Sequence, residues 1–161
     1  MQVFQTVISG VLVFVVGQIF LKMIIEPVNK LKQTFAAASH AYLVHIKALY
    51  DPINASDAQK NSAREAFLFL SGQLCADLRL IPCYKCWRYV FFLPSERSIY
   101  EAARCLVAVA NWTASNNTAK IQHVIKNWQT AADNLGLYIA PESRVSDETL
   151  DAAIRNGLDR E

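Results

Sequence analysis

A long uncharged apolar stretch at the start of the chain constrains most strongly what this sequence can fold into. Residues 3–21 read VFQTVISGVLVFVVGQIFL, and the first charged side chain after them is Lys22. Nineteen residues in an α-helix extend about 28 Å, close to the roughly 30 Å thickness of the hydrocarbon core of a bilayer. The sequence therefore predicts one transmembrane helix, with the lipid bilayer as its first partner.

The charges around this stretch predict its orientation. Every charged side chain lies on its C-terminal side, beginning with Lys22, Lys30 and Lys32. The positive-inside rule then places the C-terminal body in the cytoplasm, with the N-terminus outside. A cleaved signal peptide would have basic residues before the apolar run and small residues after it, whereas bulky residues occupy 19–21. An uncleaved anchor is therefore predicted.

The rest of the chain has the apolar periodicity of helices, and the predicted fold is all-α. About 140 residues remain beyond the anchor, enough for one hydrophobic core. The transmembrane helix is expected to continue into a cytoplasmic bundle of four to five helices. The predicted segments are an anchor at 1–25, a juxtamembrane stalk helix at 26–52, a helical bundle at 53–140 and a short acidic C-terminal helix or tail at 141–161.

The stalk helix begins at a Glu26-Pro27 step, where proline either kinks a continuing helix or starts a new one. An apolar seam follows at near-heptad spacing, at Val28, Leu31, Phe35, Ala38, Tyr42, Ile46 and Leu49. Such a seam either pairs with neighbouring chains as an oligomeric stalk or packs on the chain's own bundle. The sequence leaves both alternatives open.

Capping residues and apolar stripes define the later helices. The predicted N-terminal caps are Ser56 or Asp57, Ser95, Thr118 and Ser146. The predicted stops are near Leu80, at Gly136 and at Asn156-Gly157. The side chains expected to be buried are Phe67, Leu68, Leu74 and Leu78, then Ile99, Ala102, Leu106 and Val109, then Ile121, Val124, Ile125, Trp128 and Leu135.

Small and polar residues in the anchor predict that it associates with other copies. Thr6, Gly10, Val13 and Gly17 fall on one narrow stripe that lets helix backbones approach closely. Polar side chains in a single membrane-spanning helix favour self-association or a water-lined path. Alternatively, Gln5 and Gln18 simply lie near the two membrane–water interfaces. The candidate transmembrane interface or pore comprises Gln5, Thr6, Ser9, Gly10, Val13, Gly17 and Gln18.

A stretch rich in basic and aromatic residues lies between Pro82 and Pro94. Its chemistry suits lipid headgroups or an anionic ligand such as an oligonucleotide, with bases stacked on the aromatic rings. A third alternative is a corner between two helices, in which the aromatic rings lie in the core and the cations are exposed to solvent. The candidate residues for an anionic ligand or a lipid headgroup are Arg79, Lys85, Trp87, Arg88, Tyr89 and Arg97.

The sequence contains no pattern typical of an enzyme, and no cofactor or metal is predicted. Cys83 and Cys86 form a single CxxC without the βαβ context of a redox motif or the second pair of a zinc site. His40 and His45 are five residues apart and do not share one helix face. No glycine-rich phosphate loop, nucleophile elbow or paired-carboxylate motif is present. All four cysteines are expected to be reduced thiols in a cytoplasmic body.

Three stretches resemble a family of short bacterial proteins with one transmembrane helix, a Glu-Pro step and a small helical cytoplasmic part. They are IIEPVNKLKQ, AxxxHAYLVHIKALYDP and LRLIPCYKCWRYVFFLPSERSIYEAARCLVAVAN, and the likeness covers roughly residues 10–113. Some proteins of this build are similar to killing subunits of anti-phage systems, among them the Hailong-type effector. The resemblance implies an oligomeric channel that depolarises the cell and is held closed by a short single-stranded DNA oligomer. It assigns no ligand residue to this chain.

The leading hypothesis is an oligomeric inner-membrane effector that forms a gated ion channel or pore in anti-phage defence. Its expected partners are other copies of the chain, a nucleotide or single-stranded DNA oligomer as regulator, and a partner protein from the same operon. The alternative is a membrane-tethered helical binding module that recruits a partner or an anionic ligand to the cytoplasmic face. The oligomer number, the ligand and the permeating ion are left open.

Overall fold

The computed structural model describes residues 2–51, 54–113, 121–139, 144–146 and 148–150. Within these ranges the regular structure is entirely helical and contains no strand, which confirms the all-α prediction. The helices are α1 (Gln2–Phe20), α2 (Glu26–Tyr50), α3 (Asp57–Arg79), α4 (Tyr84–Phe91), α5 (Glu96–Thr113) and α6 (Ile121–Leu135). An apolar N-terminal helix followed by a bundle of four to five helices is therefore correct.

The continuous helix that α1 begins is long and apolar enough to cross a membrane, and only 6% of its most apolar window is buried. A core helix of a globular protein would have much of this surface covered. α3 and α4 together also have a suitable composition, but the chain bends by 104° between them. Both helices contribute to the bundle core, α3 through Phe67 and Leu74 and α4 through Tyr84.

No break separates α1 from α2, because one π-helical turn, Leu21–Ile25, joins them. At its end the Glu26 N–H donates to the Leu21 carbonyl, five residues back. Pro27 follows directly, and its ring cannot fit an undisturbed α-helical turn or donate a backbone hydrogen bond. One wider turn absorbs this conflict, so the helix continues through the Glu-Pro step without a sharp kink.

The apolar seam of α2 packs within its own chain. Val28, Leu31, Ala38 and Leu49 are buried in the same cluster as residues of α3, α5 and α6. The ring of Tyr42 stacks on Trp128 of α6, with centroids 4.2 Å apart. Of the seam residues, Ile46 alone is exposed. The structure therefore selects the second of the two alternatives, in which this helix is part of the bundle core.

The predicted caps of α3 and α5 are confirmed. Ser56 accepts from the Gln59 N–H at 3.2 Å and the Gln59 side chain accepts from the Ser56 N–H, which forms a capping box. Ser95 accepts from the Ser98 N–H at 3.0 Å. The predicted core residues of α5 are buried, and so are those of α3 except Leu68. The prediction for Leu68 was wrong because only its neighbour Phe67 points inward.

The last helices follow the predicted pattern where they are described. Val124, Ile125, Trp128 and Leu135 of α6 are buried, whereas Ile121 is half-buried at the first turn. Gly136 ends α6 with φ +68, a conformation that favours glycine. Ser146 accepts from the Thr149 N–H at 3.4 Å before the helical residues 148–150. The predicted cap Thr118 and the stop at Asn156-Gly157 lie outside the described residues.

The four long helices α2, α3, α5 and α6 close a bundle around one core. α3 runs antiparallel to α2, since Asp77 near its end bonds Thr34 early in α2 and Phe67 lies 6.3 Å from His45. The Ser71 hydroxyl donates to the Ala103 carbonyl and ties α3 to α5. The beginning of α2, the end of α3 and the beginning of α5 therefore meet at the end of the bundle next to α1, called the α1 end.

Candidate membrane-proximal site

A tight corner around α4 forms the surface of the α1 end. Left-handed backbone at Cys83 (φ 50) and Phe92 (φ 53) begins and ends the helix. The buried Tyr84 donates from its hydroxyl to the Pro94 carbonyl at 2.7 Å, and burial raises its pKa to about 12. The Leu93 N–H donates to the Arg88 carbonyl at 2.9 Å. These bonds hold Cys83 and Phe92 in one defined loop, although the left-handed backbone conformation costs about 1–2 kcal/mol at each residue.

The helix α4 contacts the end of α1. The Trp87 ring meets the Phe20 ring edge to face, with centroids 5.5 Å apart, and the Phe91 ring centroid lies 6.1 Å from that of Trp87. Phe20 is the last residue of α1 and stands two residues before the first charged side chain. Trp87 therefore bridges the apolar anchor and the bundle core, against which it is partly buried.

The predicted basic and aromatic residues separate into four groups in the structure. Arg79 and Lys85 line an open cleft of about 380 Å³. Arg88 lies over the ring of Tyr89, with its guanidinium carbon 4.9 Å from the ring centroid, in a cation–π contact. Trp87 packs on Phe20. Arg97 is exposed on α5 and is not among the residues that line the cleft.

The cleft also contains residues that the sequence analysis did not select. Its further lining residues are Leu78, Ile81, Cys83, Tyr84, Cys86, Glu96 and Tyr100. The carboxylate of Glu96 offsets part of the positive charge from Arg79 and Lys85. The position of Glu96 opposite α4 depends on the fold of the corner, which no local sequence pattern encodes.

The residues of the candidate transmembrane interface lie on the surface of α1. Gln5, Ser9, Gly10, Val13, Gly17 and Gln18 are exposed, and the side chain of Thr6 lies outside the described residues. A Cβ added at Gly10 or Gly17 would meet no atom within 4 Å. A larger side chain at either glycine therefore fits within one copy of the chain.

A buried charge between α2 and α3 was missed by the sequence analysis. Asp77 is only 1% exposed, and its carboxylate accepts from the Thr34 hydroxyl at 2.6 Å and lies 3.1 Å from the Lys30 ammonium. The geometry to Lys30 is that of an ion pair without a well-directed hydrogen bond. No sequence motif marks this cluster, because Asp77 lies 43 or more residues along the chain from Thr34 and Lys30.

All four cysteines are free thiols, in different surroundings: Cys83 and Cys86 are exposed, Cys75 is half-buried and Cys105 is buried. Burial, followed by the negative charge of Glu101, raises the pKa of the Cys105 thiol. Within the part of the chain that the structure describes, no three histidine, cysteine or acidic side chains are grouped so that they could hold a metal ion.

We expect Cys83 to be alkylated rapidly by iodoacetamide in the folded protein and Cys105 to react only after unfolding. The thiolate is the reactive form, and both burial and the raised pKa keep Cys105 protonated and covered. Peptide mass spectrometry after a timed pulse measures both rates, with a denatured sample as the reference for full reactivity. Equal rates at the two thiols in the folded protein would contradict the described packing of α5.

Comparisons with family models, with curated proteins and with solved structures gave no match.

Proposed function

We propose that this protein is an oligomeric inner-membrane effector whose α1 helices associate to form a gated ion path, controlled by the cytoplasmic bundle. The observation that carries the proposal is the unbroken helix from Gln2 to Tyr50, which joins an uncovered apolar anchor to the bundle core. A movement of the bundle would be transmitted to the anchor through one stiff element. Gating requires a mechanical connection of this kind.

The surface of α1 supports association between copies. Its exposed residues include two glycines and three polar side chains, Gln5, Ser9 and Gln18. Polar groups are costly in hydrocarbon, and small residues permit close helix contact. The unbroken connection to α2 also favours a retained anchor, because signal cleavage would cut a helix whose second half lies in the core.

The resemblance described above suggests a biological setting. It would make the channel the killing component of an anti-phage system, with cell death by depolarisation. A nucleotide or single-stranded DNA oligomer, made or sensed by a partner protein from the same operon, would then control opening. An enzymatic role is not proposed.

We expect expression of the chain in bacteria to depolarise the membrane, and we expect Gly17→Ile to abolish the depolarisation. A Cβ at Gly17 would meet no atom within 4 Å in one copy, so we attribute the expected loss to contacts between copies. The measurement is membrane potential with a voltage-sensitive dye, together with quantification of the protein in the membrane fraction.

The matched control is Val15→Ile, which lies about 160° around the helix from Gly17 and is also exposed. It should retain full depolarisation at equal membrane abundance. Depolarisation by the Gly17→Ile variant equal to that of the unchanged chain would contradict an ion path through this stripe.

A second candidate function is a membrane-tethered binding module, and the cleft favours it because Arg79 and Lys85 both line its wall. In this case Gly17→Ile has no effect, whereas Arg79→Glu or Lys85→Glu weakens binding of an anionic ligand. Binding of a labelled single-stranded DNA oligomer to the detergent-solubilised full chain tests this function. The control is Lys47→Glu, an exposed cation in the last turn of α2, far from the cleft.

A further inference from the structure

We propose that α4 is an in-plane interfacial helix in the bilayer crossed by α1. It inserts into the lipid the helix side that carries Trp87 and Val90, together with the neighbouring Phe92. The occupant of this exposed apolar surface is thus the lipid at the boundary between headgroups and acyl chains. The inference requires that α1 spans the membrane, but it does not require the ion path of the proposed function.

The position of α4 along the axis of α1 supports this inference. The Trp87 ring packs on Phe20, the last residue of α1, which places the helix at the level where the apolar anchor ends. The first charged residue, Lys22, lies just beyond this level. The aromatic side chains of membrane proteins concentrate at this depth, where a ring meets acyl chains and its polar edge meets headgroups.

The direction of α4 also fits an in-plane helix. The chain bends by 104° between α3 and α4. Because α3 runs antiparallel to α2, and α2 continues α1, the axis of α4 lies crosswise to the anchor. A helix crosswise to a membrane-spanning helix lies along the membrane surface.

The two sides of α4 differ in the way that an interfacial helix requires. Trp87 and Val90 are three residues apart and share one side, whereas Lys85 and Arg88 share the opposite side, about 160° away. The apolar side is the one in contact with Phe20. The cations on the other side can reach headgroup phosphates while their apolar stems remain near the acyl boundary.

The loop after α4 exposes apolar surface at the same end. Val90 is 60% exposed and Phe92 is 93% exposed. Phe92 also has φ 53, a left-handed conformation that is unfavourable for a bulky residue. In water this arrangement combines backbone strain with an uncovered phenyl ring. Within the bilayer boundary the same ring would be buried in lipid.

The test uses the full chain reconstituted in vesicles of phosphatidylethanolamine and phosphatidylglycerol. Cys75, Cys83 and Cys86 are replaced by serine, and the buried Cys105 is retained. A nitroxide spin label is then placed by Val90→Cys on α4, Leu12→Cys on α1 or Leu43→Cys on α2. Leu43 is exposed and lies about 35 Å beyond Phe20 along the helix. Frequent collision of the label with oxygen indicates that the label lies in lipid, and frequent collision with a water-soluble nickel chelate indicates that it is exposed to water.

We expect the label at Val90 to resemble the label at Leu12, with an oxygen-to-nickel collision ratio several-fold higher than at Leu43. Nickel access at Val90 equal to that at Leu43 would overturn the proposal. Shielding of Val90 from both reagents would overturn it in favour of a protein occupant. A water-like label at Leu12 would overturn the span itself. If only the ion path of the proposed function is wrong, the collision ratios at all three labels stay as expected. The two proposals can therefore be refuted independently.

Discussion

Replacement of Phe67 by alanine is expected to lower the free energy of unfolding of the bundle by about 3–5 kcal/mol. Phe67 is fully buried, and its ring lies 6.3 Å from His45 and 6.5 Å from Trp128. Truncation therefore removes the contacts of one ring to both α2 and α6 and leaves a cavity that rigid neighbouring helices cannot close. Chemical denaturation of the full chain in detergent, followed by tryptophan fluorescence, measures the loss.

The matched control is Phe69→Ala, two residues further along α3. Phe69 is 68% exposed, so the same chemical change removes few contacts and should alter the free energy of unfolding by less than about 1 kcal/mol. Similar losses for the two variants would contradict the assignment of Phe67 to the inner face of α3.

Replacement of Lys30 by methionine is expected to destabilise the bundle by about 2–3 kcal/mol. The variant leaves the Asp77 carboxylate buried, with the Thr34 hydroxyl as its remaining partner. Breaking a fully buried ion pair costs about 3–5 kcal/mol, and half exposure of the Lys30 side chain reduces the effect through solvent screening. The same denaturation experiment measures the change.

Two further variants separate charge burial from simple loss of packing. The double variant Lys30→Met with Asp77→Leu removes both charges and should recover most of the lost stability, because an apolar pair of similar volume can replace a buried ion pair. Thr34 keeps its hydrogen bond to the Lys30 backbone carbonyl, at 3.2 Å. The control Lys32→Met, at an exposed position, should change little. A double variant less stable than Lys30→Met alone would contradict this account.

The features that the sequence predicted well depend on neighbouring residues. The uncharged stretch at 3–21 meets a length requirement that any chain must satisfy to cross a bilayer. The Ser56 and Ser95 caps act within three residues of each helix start. Helical spacing identified the buried face of α5 without knowledge of its neighbours.

The errors and omissions depend on contacts between distant parts of the chain. Phe67 and Leu68 are adjacent and both apolar, so the rotation of α3 against α2 decides which of them is buried. The Glu26-Pro27 step allowed a kink or a new helix, and a single π-helical turn satisfies the proline instead. The charge of Asp77 gave no indication of burial, since its partners come from a different helix.

The sequence by itself determined an apolar helix long enough to cross a membrane, an all-α body and the helix starts at Ser56 and Ser95, because hydrophobic length, periodicity and capping are local properties. Only the tertiary structure decided that the α2 seam is internal to the chain, that Trp87 meets Phe20 and that α4 lies crosswise to α1. These arrangements depend on which faces of distant helices pack together. The free energy of that packing depends on two surfaces from distant parts of the chain, so it cannot be inferred from any single segment of the sequence.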